Sequence, residues 1–308
     1  MIKRKIQREK KVKRVFAILL AIIFLCLASC ACHMEKNITV IVREESSGTR
    51  EAFDKVISKN GISLKGNITK DAIIHNKTGL VLSSVASDEN AIGYVSIGSL
   101  NDSVKAVEIN GIMPSNETVL NGSYKIQRPF VIMSSKKVPL TLRTEDFLKY
   151  LKSDLAKTHT EASGTIFIED AQKRANEGSE PIEILTYEKQ NSLPNGGKIV
   201  IRGSTSMEKF INSAIKGYAE LYDVDANDIF DIELQGSSIG KATVENDMTG
   251  NVIGLSSASV NEKDIESFYV CLDAIAVIVN KNTQITNLTI EQLYDIFTGK
   301  IKGLSEIQ

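Results

Sequence analysis

Apolar positions along this chain follow two rhythms. Residues 38–42 (ITVIV), 198–202 (KIVIR), 231–234 and 252–255 are short β-branched runs of buried-strand type. Ala52, Phe53, Val56 and Ile57 then recur at helical spacing, as do Met207, Phe210, Ile211, Ala214, Ile215 and Tyr218. Between strand and helix stand hydroxyl-rich loops: Ser46-Ser47-Gly48-Thr49 after the first run, Gly203-Ser204-Thr205-Ser206 after the second. Gly236-Ser237-Ser238-Ile239-Gly240 follows the third and opens a shorter helix, and Ser256-Ser257 follows the fourth. Ser47 is placed as an N-cap. Strands alternating with helices predict α/β layers around parallel sheet. Residues 91–95 and 274–279 read as further strands. Residues 143–155 and 289–297 read as amphipathic helices, the latter capped by Thr289 and burying Ile290, Leu293, Tyr294 and Phe297. Residues 188–197 (EKQNSLPNGG) read as an internal linker.

Residues 1–29 do not follow this scheme. A basic block from Lys3 to Arg14 precedes the uninterrupted apolar run Val15–Ala28, too short for a spanning helix and arranged as a secretory signal. The break Leu27-Ala28-Ser29-Cys30 resembles the lipobox of bacterial lipoproteins, which implies lipidation at Cys30, a lipid anchor and linker over residues 30–37, and an extracytoplasmic location on the cell membrane.

Removing that segment changes the charge. It takes eight of 37 basic and one of 38 acidic side chains, leaving 29 against 37, a net charge of −8. Such a surface disfavours a nucleic-acid partner. An anion must then be held by local dipoles rather than by an attractive global field. Cys26, Cys30, Cys32 and Cys271 form no disulfide framework, and the three histidines show no metal-ligand spacing, so neither metal nor cofactor is expected.

The loops carry the candidate chemistry. A helix start presents unpaired N–H groups and about half a positive charge. Hydroxyls placed there add donors, making an anion cradle that needs no cation. Arg43, immediately before one loop, adds a fork of donors, unless it is instead taken up by Glu44 or Glu45. In open α/β sheets such loops lie at the carboxyl ends of strands, where ligands bind. Enzyme readings find less support. Gly236–Lys241 (GSSIGK) is one residue short of a P-loop and has Ala242 where Ser or Thr is required, and no histidine is near a Ser-rich loop in sequence.

Several blocks are specific. VREESSGTREAF (42–53), ENAIGYVSIGSL (89–100), 104–130 ending in YKIQRPF, IRGSTSMEKF (201–210), GLSSASV (254–260) and 272–301 ending in IFTGKI together resemble the phosphate-binding protein of bacterial ABC phosphate importers. The resemblance implies a two-lobed, type II periplasmic-binding-protein-like α/β fold that closes over its ligand. It also implies a monomeric receptor for inorganic phosphate or a similar oxyanion, an ABC permease as partner, and no catalysis. It carries over Arg43, Ser47, Gly48 and Thr49 as contacts from one lobe and Thr205, Ser206, Ser237 and Ser257 from the other. Ser257 stands where some members have an acid that accepts the phosphate proton, so poorer rejection of sulfate is expected unless another acid, Glu45 or Asp273, takes that place.

The order of segments departs from the family's: the G-S-T-S and I-F-T-G-K-I blocks follow, rather than precede, S-G-T-R and Y-x-I-x-R-P-F. A circular permutation is expected, joined through residues 188–197. One lobe would be 38–127 with 279–308 and the other 128–278, hinged near 128–133 and 274–280. The alternatives are a truncated tandem receptor, or a surface sensor or adhesin that keeps the fold.

Overall fold

The β-branched runs form strands and the periodic stretches between them form helices. In the computed structural model, which describes residues 37–168 and 184–307, the main sheet holds ten strands. These are β1 (Thr39–Arg43), β2 (Ile73–His75), β3 (Ala91–Ser96), β4 (Val104–Ala106), β5 (Gln127–Ser135), β6 (Ile166–Phe167), β7 (Ile199–Gly203), β8 (Phe230–Leu234), β9 (Val252–Ser256) and β10 (Ile265–Asn280). Their spatial order is β8-β7-β9-β5-β10-β3-β1-β2, with β4 and β6 also paired to β10. The main helices are α1 (Gly48–Val56), α2 (Thr78–Ser87), α3 (Leu142–Leu151), α4 (Leu155–Ser163), α5 (Glu208–Leu221), α6 (Ser237–Glu245) and α7 (Ile290–Phe297). Cys30 and the segment before it lie outside the described residues, among which no helix is long and apolar enough to cross a membrane.

Two parallel half-sheets meet on one long strand. β1 lies parallel to β2 and β3, and β7 lies parallel to β8 and β9. β10 runs antiparallel to β5 along its first part and antiparallel to β3 along its last part. The apolar run 274–279 is therefore the inner end of a 16-residue strand rather than a short strand of its own. The ladder slips between Tyr269 and Cys271, a bulge that lets the strand turn from one half-sheet to the other.

Each half has its own apolar core. In one, Phe53 of α1 stacks on Tyr94 of β3 at 4.0 Å, and Phe297 of α7 closes the group at 5.0 Å from Phe53. Burying each such side chain contributes roughly 1.5–3 kcal/mol. The α7 helix thus packs against a strand and a helix some 200 residues earlier. Asn287–Leu288 pairs in parallel with Glu108–Ile109, and the Ile38 N–H donates to the Lys302 carbonyl at 2.6 Å. In the other core, Phe147 of α3 meets Tyr218 of α5 and Phe230 edge-on at 5.0 and 4.8 Å.

Thr289 caps α7 in a reciprocal box with Gln292. The single helix expected over 143–155 is two helices. Ser153 Oγ donates to the Tyr150 carbonyl at 2.7 Å and accepts the Leu155 N–H at 3.3 Å, a local alternative to helix bonding that ends α3 at Leu151.

Candidate functional site

Four helix starts converge where the two half-sheets face each other. They belong to α1, α2, α6 and the short 3-10 turn Thr205–Met207 that leads into α5. Each follows a strand, and each brings a hydroxyl. Arg43, Ser47, Thr49, Thr78, Ser204, Thr205, Ser206, Ser237 and Ser257 are all buried there.

The hydroxyls touch across the interface. Thr49 Oγ1 lies 2.9 Å from Ser206 Oγ, and Thr78 Oγ1 lies 3.0 Å from Thr205 Oγ1. The Thr78 N–H also donates to Thr205 Oγ1 at 3.4 Å. On the α5–α6 side, Ser204 Oγ donates to Ser257 Oγ at 3.0 Å, and the Ser257 N–H donates to Ser237 Oγ at 3.1 Å. Ser47 caps α1, its side chain accepting from the Arg50 N–H, so its oxygen faces the helix start rather than the partner half. Gly48 shows how close the halves come. A Cβ there would stand 2.7 Å from Ser257 Oγ and 2.8 Å from Ser237 Oγ, which no side chain tolerates.

All eight sequence-assigned residues therefore gather at one place. Seven of them, Arg43 aside, supply hydroxyls or backbone N–H groups. Of the two readings of Arg43, the structure shows the one in which Glu44 takes up the guanidinium. Arg43 Nε and Nη2 donate to the two carboxylate oxygens of Glu44, each at 2.9 Å, and its Nη1 donates to Thr78 Oγ1 at 3.1 Å. A guanidinium so deeply buried, 3% exposed, holds its charge only with a partner, and Glu44 is the nearest. Behind Arg43, Arg50 Nη1 donates to its carbonyl at 3.0 Å and Tyr94 accepts from its N–H at 3.3 Å. Arg50 in turn holds Asp54, whose carboxyl burial pushes up to about 6 against the attraction of Arg50.

Neither acid proposed to replace the missing carboxylate does so. The Glu45 side chain is 92% exposed and lies 3.8 Å from Arg50 Nη2. Asp273 lies in the seam between the half-sheets, its Oδ2 accepting from Arg128 Nε and Nη2 at 3.0 and 2.9 Å and its Oδ1 from Ser96 Oγ at 2.6 Å. Its oxygens are committed there because strand register sets Asp273 opposite Arg128.

Two residues at the site, Thr78 and Ser204, were not assigned to it from the sequence, whereas Glu44 is one of the two partners named there as the alternative for Arg43. Thr78 had a readable signal. Ile73–His75 is a strand, and Thr78-Gly79 opens a helix whose Val81, Leu82 and Val85 are buried, so this is a further copy of the strand–hydroxyl–helix pattern. A three-residue strand with two exposed isoleucines hides it.

Gly236-Ser237-Ser238-Ile239-Gly240 also has the G-x-S-x-G spacing of a nucleophile elbow. Its central Ser238 is exposed on α6. His75 bonds to Ser84, and His159 to Tyr150 and Ser213. Among the described residues no set of three His, Cys, Asp or Glu side chains is arranged to hold a metal ion.

With this geometry in place, known proteins can be compared. A PBP superfamily domain profile matches residues 188–305. The chain is 34% identical over 279 residues to the "Phosphate-binding protein PstS 2" of Streptococcus pneumoniae serotype 4, covering 88% of each protein. The protein of the same name from Streptococcus agalactiae serotype V is 33% identical over 280 residues, again 88% of each. A crystal structure of a phosphate-binding protein of a phosphate ABC transporter from S. pneumoniae superposes with TM-score 0.61 at 32% identity, over 88% of this chain and all of that one. The fold is the type II PBP-like fold. The "Phosphate-binding protein PstS" of Bacillus subtilis matches over only 138 residues, 44% of this chain and 43% of that protein.

Proposed function

The chain belongs to the PstS family of phosphate-binding proteins, and on that premise we propose that it captures inorganic phosphate or a similar tetrahedral oxyanion outside the cytoplasm and delivers it to an ABC importer. The observation that carries this reading is the convergence of buried hydroxyls and helix starts from both half-sheets on one point, beside a guanidinium. A tetrahedral anion has acceptors in all directions. Donors arriving from opposite sides suit it, and hydroxyls, which donate without bringing charge, suit a chain whose net charge is negative.

In this reading one lobe is 38–127 with 279–308 and the other is 128–278. The two crossing strands β5 and β10 are the hinge, and binding is lobe closure without covalent chemistry. Arg43, Ser47, Gly48, Thr49 and Thr78 contact the anion or its neighbours from the first lobe. Ser204, Thr205, Ser206, Ser237 and Ser257 do so from the second. A rotated segment order relative to the Bacillus protein fits the two match lengths. The streptococcal proteins match over 88% of this chain and the Bacillus protein over 44%, the pattern expected if only one side of the cut stays colinear with the latter. The shared core of Phe53, Tyr94 and Phe297 supports the rotation over a truncated tandem receptor, because a tandem remnant would lack that partner.

A thermal-shift screen of the mature chain against phosphate, sulfate, molybdate and arsenate tests the reading. A ligand that binds only the folded chain at 100 times its Kd adds about 2.7 kcal/mol of apparent stability. Phosphate or arsenate should raise the melting temperature; no shift with any of the four sinks the assignment.

Anchoring is part of the same proposal. Cys30 at the end of the signal-like segment would carry the lipid. Cys30→Ser should then release the protein from the membrane or leave the precursor uncleaved. If the variant stays with the membrane fraction at the wild-type mature size, the cysteine is not the anchor.

A further inference from the structure

Position 257 carries a hydroxyl, yet the site still contains a carboxylate. Glu44 follows Arg43 on the first-lobe loop, its side chain 19% exposed. Its two oxygens accept the bidentate fork of Arg43. Its Oε1 also reaches the opposite lobe: a Cβ on Gly236 would stand 3.1 Å from it. Gly236, at φ 132°, is the residue before Ser237, whose hydroxyl binds Ser257. Glu44 is thus the acid that lies between Arg43 and Gly236, next in sequence to Ser237, while Glu45 faces solvent and Asp273 is consumed in the seam.

Two consequences follow from charge and hydrogen-bond type. The Arg43–Glu44 pair is neutral as a unit, so it offers an incoming dianion no net attraction. An ionised carboxylate only accepts, and so does every oxygen of a fully ionised anion. An oxyanion that keeps one proton can donate it to Glu44; one with no proton must place an oxygen against another acceptor, an unpaired and repulsive contact.

We propose that Glu44 is the specificity-determining carboxylate of this chain, accepting the remaining O–H of a monoprotonated tetrahedral oxyanion such as hydrogen phosphate and rejecting sulfate. The assignment rests on the oxyanion reading above. It gives Glu44 a role that the residue at position 257 does not fill.

Glu44→Gln tests it, because glutamine keeps the shape and the acceptor oxygen facing Arg43 but removes the charge. Calorimetry with phosphate and with sulfate at neutral pH, on wild type and variant, supplies a ratio. Wild type should prefer phosphate. In the variant sulfate should bind more tightly and phosphate no better, so that the preference shrinks by about ten- to 150-fold, the worth of a hydrogen bond to a charged group. Glu44→Ala should shrink the preference in the same direction. If Glu44 only orients Arg43, both variants lose affinity for the two anions by one common factor and the preference is unchanged, which overturns the proposal. A wild-type chain that binds neither anion overturns the oxyanion reading itself, and the role of Glu44 with it. A wild type that binds sulfate as well as phosphate overturns the role of Glu44 alone.

Discussion

Arg128→Met should destabilise the chain by roughly 3–5 kcal/mol, the cost of removing one partner of a buried ion pair. Arg128 of β5 and Asp273 of β10 face each other in register, with side chains 1% and 0% exposed. Two guanidinium N–H groups bond to one carboxylate oxygen, the Ser96 hydroxyl bonds to the other, and the guanidinium lies 5.4 Å from the centre of the Phe130 ring. Burial pushes the Asp273 carboxyl up and the Arg128 guanidinium down, and their mutual attraction opposes both. Methionine fills the space but leaves Asp273 without its charge partner, where water cannot reach it. Chemical denaturation of wild type and variant measures the loss. The double variant Arg128→Met, Asp273→Asn should be more stable than the single one, because no buried charge is left alone. A single variant within about 1 kcal/mol of wild type, as for an exposed pair, would show that the seam tolerates the bare carboxylate.

Arg43→Ala should cost about ten- to 150-fold in oxyanion affinity, or roughly 1.5–3 kcal/mol. Among the described residues, the substitution removes the only guanidinium whose hydrogen bonds reach the hydroxyls between the half-sheets, through Thr78. It also strips Glu44 of its two charge-assisted bonds and leaves a bare carboxylate beside the hydroxyl cluster. Arg43→Lys separates the two effects. It keeps a positive charge beside Glu44 but loses the planar fork, so its affinity should fall between wild type and alanine. Calorimetry on variants with unchanged circular dichroism decides; unchanged affinity in Arg43→Ala would remove Arg43 from the site.

The local order of elements was legible from residue spacing. ITVIV, KIVIR and their loops specify strand then capped helix because β-branched side chains, N-cap hydroxyls and an apolar face at 3.6-residue spacing are local properties. The helix at 290–297 and its cap could be read the same way. So could the hydroxyls of Ser47, Thr49, Thr205, Ser206, Ser237 and Ser257, since each sits at a repeat of that pattern.

What the sequence could not settle was long-range pairing. Nothing local says that Thr78 meets Thr205, 127 residues away, or that Ser204 meets Ser257. The fate of the three acids is the clearest case. Glu44, Glu45 and Asp273 look equally available as carboxylates. Strand register sends Asp273 to Arg128. The turn at Glu45 points its side chain to solvent. Glu44 alone is brought against both Arg43 and the loop of Gly236. Hydrophobic periodicity and capping are decided by neighbours within one turn of chain, so the sequence by itself determined most of the segments that become strands, helices and candidate anion-binding loops, the short strand at Ile73–His75 and the Thr78 loop after it excepted. Which polar group faces which is decided by sheet topology and by the burial that makes an unpaired charge costly, and only the tertiary structure set those partners.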